Sequence, residues 1–524
     1  MAEAMAVELL LFVVGLWALA TLRLSKPSKQ AEFWASFPTA GVSSGVFFPW
    51  SLAAFRSITA SADMATEGYN KFCKKRDIPF ALPSTGVGAI VALPPSQLHV
   101  LNKSEKHVIA AEAQSESIQP KYMIGDRELY ENSIHFDIVR KHMTKDVGFF
   151  AAGTAEELDA AFRDCWGADS QNWTTVGAWD TLSRAVARAV NRAYVGLPLC
   201  RNETLLEQSR LYANAVYMGS ALITAMPKCT RPALGPLIAL PAKRYLAGCK
   251  RVLVPLVEER LRRWDGGKAG EKMPDDALQW MVERCAKVGP GQMEPAGIAQ
   301  RLLILNLVSI YTTSYAFTNC VLDLHGSESR DDFVAGLRRE CDGVAAELDG
   351  LVTGKAIDKL FRVDSAVRES MRISCFGIIS LPRIVGPGQA LDLGSDIKIP
   401  PGVRLGIPSQ AIHRDASYYD DPLRYDAFRF SRDFESPDGA GRQAAGQKRS
   451  VDVSSSFLTY GFGKHACPGR WFASQLMKQA LAYIVQNYEV ECVGKTQEKK
   501  ALLNMIMPPV SAKIRVRLLR GQHC

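Results

Sequence analysis

The glycine-rich stretch Tyr460–Arg470 constrains this chain more than any other part of its sequence. It reads Tyr-Gly-Phe-Gly-Lys-His-Ala-Cys-Pro-Gly-Arg, with one cysteine, Cys467, among three glycines. Glycine permits left-handed turns and close backbone approach, and Pro468 suits the first turn of a helix. Apolar residues at helical spacing from Trp471 to Ile484 predict that this helix follows directly.

Cys467 is therefore predicted to lie at the N-terminus of a helix. The free N–H groups and the dipole at such a terminus favour a thiolate over a thiol. A thiolate in a glycine-lined loop indicates a nucleophile or a metal ligand, and a buried structural cysteine beside a turn is the remaining alternative.

The spacing within this stretch resembles the haem-binding loop of cytochrome P-450 monooxygenases. Tyr460, Gly463, His465, Cys467 and Gly469 occupy the places of that pattern, with Tyr where Phe is usual and His where Arg is usual. The resemblance implies that Cys467 is the iron ligand, because a thiolate pushes electron density onto haem iron and favours O–O cleavage. It also implies that the rest of the loop lies against the cofactor.

Basic residues are the expected partners of the haem propionates. Arg140 lies four residues after Phe136, in a variant of the family's Trp-x-x-x-Arg pattern, and Arg383 falls where the family places another propionate partner. His465 is the third candidate, and Gly461 is expected to line the cofactor beside it. Taken alone, each of these cations is equally consistent with a solvated surface charge.

Thr312 is the residue to which the resemblance gives a catalytic role. The segment Val308–Thr313 aligns with the family's oxygen-activation segment, and a threonine hydroxyl there steadies dioxygen and relays protons. Tyr311 is a departure, because many members carry Asp or Glu at that position. The alternative for Thr312 is a hydroxyl that bonds back to its own helix.

Glu369 and Arg372 match the family's Glu-x-x-Arg motif, in which the two side chains share one face of a helix. Arg429 matches the third member of that network. Buried together, the three residues would fix the chain that leads to the haem loop and so support cofactor binding, because losing one partner leaves an unpaired charge.

The expected fold is mainly α, a cytochrome P-450 fold with one large helix-rich domain and small β-sheets. Residues 296–324 predict one long helix that is apolar nearly all round and therefore buried. Short strands are expected near residues 80–95 and 375–410. Thr154 and Glu157 predict a capping box at the start of another helix.

The N-terminal region predicts a transmembrane helix. Residues 9–22 are uncharged, and Arg23, Lys26 and Lys29 follow them. By the positive-inside rule we expect residues 1–26 to anchor the protein once in a membrane, with residues 27–524 on the cytoplasmic side. The resemblance implies that this membrane is the endoplasmic reticulum and that residues 27–524 form a haem-thiolate monooxygenase domain. A cleaved signal peptide is the alternative, although no basic segment precedes the apolar run.

Composition excludes several other functions. The net charge of +9 is spread along the chain without a dense basic block, which argues against nucleic acid as a partner. The twelve cysteines include no Cys-x-x-Cys pair, so neither a zinc site nor a dithiol redox motif is indicated.

The resemblance implies a membrane-anchored haem-thiolate monooxygenase of fungal specialised metabolism, with electrons from NADPH through a reductase. Apolar residues such as Phe376, Ile378, Ile379, Met505 and Ile506 favour a small hydrophobic substrate, a terpenoid first among the candidates, although apolar stripes are more often core. Two alternatives stay open: a haem-thiolate isomerase or dehydratase, and a membrane-anchored haem- or sterol-binding protein without turnover.

Overall fold

Helices account for most of the chain, which the computed structural model describes over residues 33–34, 37–43, 45, 47–264, 273–394, 397–435, 448–494 and 499–519. The longer α-helices are α1 (Pro49–Gly68), α2 (Ala151–Trp166), α3 (Ala178–Tyr194), α4 (Glu203–Ala225), α5 (Arg231–Ile238), α6 (Leu240–Arg263), α7 (Ala277–Val288), α8 (Pro295–His325), α9 (Arg330–Leu348), α10 (Phe361–Ile373) and α11 (Arg470–Asn487). Shorter α-helical segments span Lys74–Arg76, Ala110–Ser115, Pro120–Met123, Arg127–Glu131, Phe136–Ile138, Gly354–Asp358 and Ser409–His413.

Helix α8 lies at the centre of the fold. The sequence predicted a long buried helix over residues 296–324, and the structure confirms it. Pro295 occupies the first helical position, and the Glu294 carboxylate accepts a hydrogen bond from the Gly297 N–H, so the N-terminus is capped. Most of α8 is buried because α3, α4, α6, α10 and α11 pack around it.

Short strands form four small sheets in the described part of the chain. They are β1 (Phe80–Ser84), β2 (Gly88–Ala92), β3 (Val108–Ile109), β4 (Thr174–Gly177), β5 (Ser380–Val385), β6 (Leu391–Asp392), β7 (Lys398–Ile399), β8 (Arg404–Ile407), β9 (Tyr488–Val493), β10 (Ala501–Leu502), β11 (Met505–Ile506) and β12 (Lys513–Leu518). The largest sheet has the order β1-β2-β8-β5-β3, which confirms the strands expected near residues 80–95 and 375–410.

Pairing in the largest sheet joins distant parts of the chain. Strands β2 and β8 are parallel, with Val91 opposite Leu405, and the other neighbours are antiparallel. The smaller sheets have the orders β4-β12-β9, β10-β11 and β6-β7. Strand β5 places Arg383 in the middle of the largest sheet, opposite Leu405.

Two apolar cores stabilise this architecture. The larger core lies among the helices around α8, and the smaller one lies between α1 and the largest sheet. Phe376 packs against both cores, just before β5 begins. The junction between helices and sheet is therefore where an interior site can form.

The capping box predicted at Thr154 and Glu157 is wrong. Helix α2 begins at Ala151, so Thr154 lies inside the helix and donates its hydroxyl hydrogen to the Phe150 carbonyl oxygen at 2.8 Å. Glu157 is fully buried and pairs instead with Arg188 and with Arg201. A local motif cannot reveal these basic partners, because they are distant in sequence. The ion pairs take the place of the predicted capping hydrogen bond.

The predicted membrane anchor at residues 1–26 lies outside the described residues. Among the residues that the structure describes, no helix combines the length and the apolar character needed to cross a bilayer.

Candidate functional site

The Cys467 loop is a tight turn that only glycine can adopt at two positions. Gly461 has a φ of 84° and Gly463 a φ of 60°. A Cβ atom at position 463 would come within 2.6 Å of the Asn102 side chain. The loop is closed by a 2.7 Å hydrogen bond from the Cys467 N–H to the Tyr460 carbonyl oxygen. These constraints turn the cysteine inward.

Helix α11 begins directly after this loop, at Arg470, as the sequence predicted. Arg470 donates from Nη1 to the Cys467 carbonyl oxygen at 2.8 Å. Gly469 leaves space beside the sulfur, because a Cβ atom there would lie 3.9 Å from Cys467 Sγ. The helix start therefore fixes the backbone on both sides of the thiol.

The Cys467 side chain is exposed, but it faces an interior cavity rather than the surface. The cavity has a volume of about 190 Å³, and Thr312, Phe376 and Tyr460 line it together with Cys467. Burial raises the pKa of the Cys467 thiol, and the N–H groups of Gly469 and Arg470 with the Arg470 charge offset this only in part. The N–H groups at the start of the helix therefore act in the direction that favours the thiolate, whereas burial acts against it.

Thr312, on helix α8, also lines the cavity. Four residues of α8 are less buried than their neighbours, namely Val308, Ser309, Thr312 and Ala316; Thr312 is the most exposed of them, and Thr312 and Ala316 line the cavity. The Thr312 hydroxyl donates to the Val308 carbonyl oxygen at 2.7 Å. Thr312 thus bonds back to its own helix, as the alternative prediction held, while it also lines the same cavity as Cys467.

Arg383 is a fully buried cation that forms no ion pair with any described residue, although the Glu105 charge acts on it. Its Nε donates to the Leu101 carbonyl oxygen and its Nη1 to the Pro382 carbonyl oxygen, both at 2.9 Å. Its Nη2 is buried and makes no hydrogen bond with any described residue. Burial lowers the pKa of Arg383. A guanidinium group in this position fits an acidic ligand that is not part of the polypeptide.

His465 and Arg140, the other two propionate candidates, are placed differently. His465 is half-buried, with Nε2 3.8 Å from a Glu105 carboxylate oxygen, and burial together with Arg383 and Lys464 lowers its pKa. The Arg140 side chain is 63% exposed, and its Nη1 lies 3.8 Å from Asp137.

Cys467 and the buried Arg383, which does not itself line the cavity, together fit a haem. A single inward-facing cysteine supplies one ligand, and no cluster of three or more His, Cys, Asp or Glu side chains suited to a metal occurs in the described residues. The unpartnered Nη2 of Arg383 is the donor that a propionate carboxylate requires.

Glu369, Arg372 and Arg429 come together in one buried network. Arg372 donates from Nε and Nη2 to the two carboxylate oxygens of Glu369 at 2.7 and 2.8 Å, and Arg429 donates from Nε to the same carboxylate at 3.0 Å. Arg372 also donates from Nη1 to the carbonyl oxygens of His413 at 2.5 Å and Pro422 at 2.7 Å. The network ties α10 to the segment that precedes the Cys467 loop.

His413 extends this connection to the loop itself, and motif reasoning missed it. Its Nε2 accepts a hydrogen bond from the Leu458 N–H at 2.8 Å, and its ring stacks on Phe457. Burial, with the Arg372 charge, lowers the pKa of His413 to about 3, so the ring is neutral and can accept. In the sequence, His413 stands in a polar run after a strand. Such a run is equally typical of a surface turn, so it does not indicate a buried histidine.

An aromatic cluster connects the cavity residue Phe376 to helices α4 and α8. Tyr311 stacks on Tyr217 of α4, with ring centroids 4.0 Å apart and an angle of 13° between the planes. Phe376 contacts both rings edge-on at 6.3 Å. Of the apolar residues expected to line the substrate pocket, Phe376 does line the cavity, whereas Ile378 and Ile379 are part of the smaller core.

Comparison with known proteins agrees with these observations. A family model described as Cytochrome P450 matches residues 182–516. The chain is 35% identical over 523 residues to cytochrome P450 monooxygenase gloP of Glarea lozoyensis, covering 97% of this chain and 95% of that protein. It is 35% identical over 494 residues to cytochrome P450 monooxygenase htyF of Aspergillus rugulosus, and the match covers 91% of this chain and 72% of that protein. The solved structure of retinoic acid-bound cyanobacterial CYP120A1 shares the fold, with a TM-score of 0.65 at 14% identity over 92% of this chain and 100% of that one.

Proposed function

The chain belongs to the cytochrome P450 family of monooxygenases, and from this premise we propose that Cys467 is its iron ligand and that its substrate is a hydrophobic metabolite. The observation that carries the proposal is that the Cys467 sulfur and the Thr312 hydroxyl line one interior cavity. The buried Arg383, which forms no ion pair with any described residue, supports it.

Thiolate-ligated haem, when bound, supplies the reduction of dioxygen and the transfer of one oxygen atom to a C–H bond. Cys467 would hold the iron, and the N–H groups of Gly469 and Arg470 would temper the negative charge on its sulfur. Arg383 Nη2 would donate to a propionate, with His465 as its neighbour.

Thr312 is the proposed catalytic residue. Its Oγ1 donates to the Val308 carbonyl oxygen in this structure, and rotation about χ1 redirects that proton into the cavity. Tyr311 offers no carboxylate beside it, so the proton supply depends on this hydroxyl and on water in the cavity. Tyr460, Gly461 and Gly469 shape the cavity wall on the side of the sulfur.

The proposed substrate is a small apolar molecule of specialised metabolism, with a terpenoid as the first class to test. Support comes from Phe376, which lines the cavity and contacts the rings of Tyr217 and Tyr311, so that aromatic carbon lies next to the proposed haem site. The proposed electron source is an NADPH-dependent reductase, and the exposed Lys141 and Lys464 beside the haem loop offer cations for its docking. Residues 1–26 are proposed as a membrane anchor that holds residues 27–524 at the cytoplasmic face of the endoplasmic reticulum.

The decisive experiment is the absorption spectrum of the reduced, haem-loaded full chain with carbon monoxide. We expect the red-shifted Soret band of a thiolate-ligated iron, and we expect Cys467→Ala to abolish it. Cys492→Ala is the matched control, because Cys492 is partly buried and lies away from the cavity. We expect this variant to keep the band. A normal band in Cys467→Ala refutes the assignment.

Turnover separates the monooxygenase from the two alternatives. NADPH consumption that depends on both an added reductase and a hydrophobic substrate, with oxygenated product detected by mass spectrometry, is the expected result. Product without added reductase indicates an isomerase or dehydratase. Tight substrate binding without product indicates a binding protein.

A further inference from the structure

A pocket at the protein surface lies near the Cys467 cavity, further along α8. The described residues in its wall include Asn319, Asp323, Val493, Lys499 and Val510. Val493 is 43% exposed and Val510 is 60% exposed, so the pocket opens to solvent. Asp323 belongs to α8, the helix that also borders the Cys467 cavity. One helix therefore contributes to both spaces.

About one turn of α8 separates the two spaces. Thr312, Ala316, Asn319 and Asp323 follow one another at spacings of four, three and four residues, which places them on one face of the helix. The first two line the Cys467 cavity, and the last two line the surface pocket. Ala316 and Asn319 are three residues apart, which is about 4.5 Å along the helix axis. The wall between the cavity and the surface pocket is therefore thin on this face.

Hydrogen bonds cross this wall through Ser374, the residue directly after α10. Ser374 lines the Cys467 cavity, and its hydroxyl donates to Asp323 Oδ2. Lys499 Nζ donates to Asp323 Oδ1 at 2.8 Å and also to Ser374 Oγ. The Lys499 side chain is 28% exposed, whereas that of Asp323 is 10% exposed. A continuous set of hydrogen bonds thus leads from the cavity wall to the surface.

Asp323 has a second hydroxyl partner, which separates a structural role from a chemical one. Ser370 on α10 donates to the same Oδ2 atom at 2.7 Å. Ser370 is completely buried, whereas Ser374 keeps 4% of its surface exposed. Both serines help to satisfy a buried carboxylate, which is costly without partners. Of the two, Ser374 is the one that can also exchange a proton with the cavity.

The cavity needs a polar connection to solvent because dioxygen reduction consumes protons. Tyr311 stands beside Thr312, where many members of the family carry an acid, and its buried hydroxyl makes no hydrogen bond with any described residue. Asp323 and Ser374 offer the missing groups at a different place. A carboxylate exchanges protons with water, and a hydroxyl both donates and accepts hydrogen bonds.

We propose that Asp323 and Ser374 form a proton relay between the surface pocket and the Cys467 cavity, with Lys499 holding both in position. In the inward direction, water in the surface pocket protonates Asp323 Oδ2. Asp323 passes this proton to Ser374 Oγ, while the hydroxyl releases its own proton into the cavity, so that carboxylate and hydroxyl are both restored. The inference rests on the proposed haem-thiolate site, and it names the source of the protons that reach Thr312.

The test measures how fast cyanide binds to the oxidised, haem-loaded full chain without substrate. Hydrogen cyanide enters as a neutral acid and binds ferric iron as the anion, so each binding event sends one proton out of the cavity. The relay then runs outwards. Ser374 Oγ takes the proton from hydrogen cyanide, and the proton of the hydroxyl passes to Asp323 Oδ2 and on to water. Stopped-flow absorbance at the Soret band gives the association and dissociation rates.

Ser374→Ala and Asp323→Asn are each expected to slow both rates by a factor on the order of 10 to 100. This is at or below the low end for a positioned proton-transfer group, because water replaces part of the relay. The dissociation constant of cyanide stays unchanged, since a relay alters rates and not the equilibrium. The double variant is no slower than either single variant, because both residues act in one path.

Ser370→Ala is the matched control, because it removes the other hydroxyl bonded to Asp323, and it is expected to keep the wild-type rates. Carbon monoxide binding to the reduced protein moves no proton and keeps its rate in every variant. Unchanged cyanide rates in Ser374→Ala, equal slowing in Ser370→Ala, or a changed dissociation constant in place of slower rates overturns the relay. A missing thiolate Soret band refutes the haem-thiolate site instead, so the two failures are distinguishable.

Discussion

At the scale of single residues, Arg383 and Arg140 show how burial distinguishes two cations that look alike in sequence. Arg383 is fully buried and donates to two backbone carbonyl oxygens, and its Nη2 has no partner in the part of the chain that the structure describes. Arg140 is largely exposed and lies near Asp137. An unpartnered buried charge has a large desolvation cost that an anionic ligand offsets, whereas water already solvates an exposed one.

Arg383→Gln is therefore expected to weaken haem retention roughly 10- to 100-fold, because one charge-assisted hydrogen bond contributes about 1.5–3 kcal/mol. Arg140→Gln is expected to have a smaller effect. Transfer of haem to excess apomyoglobin, followed by absorbance, measures both. Equal loss in the two variants would contradict the distinction drawn from burial.

The sequence predicted which residue types form the site, but not how each is oriented. The loop around Cys467 could be predicted from the sequence, because its shape depends on its own glycines and on the helix that directly follows it. The stacking of Tyr311 on Tyr217 was not readable, since the two rings belong to helices that are distant in sequence. The burial of Cys467, which raises the pKa of its thiol, was not readable from the local spacing either.

At the scale of elements, α10 and the Cys467 loop are joined through buried charges rather than through apolar packing alone. Glu369 accepts from both Arg372 and Arg429, and Arg372 holds the His413 carbonyl oxygen. The His413 ring in turn accepts from the Leu458 N–H at the start of the loop. A change on α10 is therefore transmitted to the cysteine.

Removing the Glu369 carboxylate leaves two arginines without their shared anion. We expect Glu369→Gln to lower the free energy of unfolding by about 3–5 kcal/mol, as found for broken buried ion pairs, and to lower the haem content in parallel. Urea unfolding measured by circular dichroism tests this. Glu131→Gln, in the exposed pair with Arg127, is the control, and a comparable loss there would contradict the argument.

The elements themselves were predicted unevenly. Helix α8 and the helix after the Cys467 loop follow from apolar patterns that their own residues carry. The capping box at Thr154 failed because the helix begins earlier, at Ala151. The single Thr154 hydroxyl hydrogen is shared between the Phe150 carbonyl oxygen and Gln479 Oε1, which lies 2.7 Å away on a helix distant in sequence. Local propensity predicts an element well when no long-range polar contact competes with it.

At the scale of the whole molecule, three buried histidines make the fold sensitive to acid. Burial lowers the pKa values of His135 and His413 to about 3 and that of His325 to about 4. In the unfolded chain each of these histidines binds a proton as the pH falls through about 6.5, whereas in the folded chain it stays neutral there. The free energy of unfolding is therefore not reduced by these histidines above pH 6.5. It decreases as the pH falls from 6.5 towards 4, because protonation then favours the unfolded chain.

The free energy of unfolding is expected to fall by about 4 kcal/mol per pH unit between pH 6 and 4 from these three residues together. Urea titrations at a series of pH values measure the slope. His413→Gln removes about one third of it, and His99→Gln, at an exposed position, leaves it unchanged. A flat profile between pH 6 and 4 would show that the histidines are protonated in the folded protein.

The parallel pairing of β2 with β8 has a consequence for biosynthesis. Val91 meets Leu405 only after about 300 further residues have left the ribosome, and Arg383 on β5 joins the same sheet late. Until then the edge of the β1–β2 hairpin is open to wrong partners, which is a known route to aggregation. Cofactor loading is consequently expected to be a post-translational event, and the yield of active protein to depend on chaperone capacity and porphyrin supply in the expressing cell.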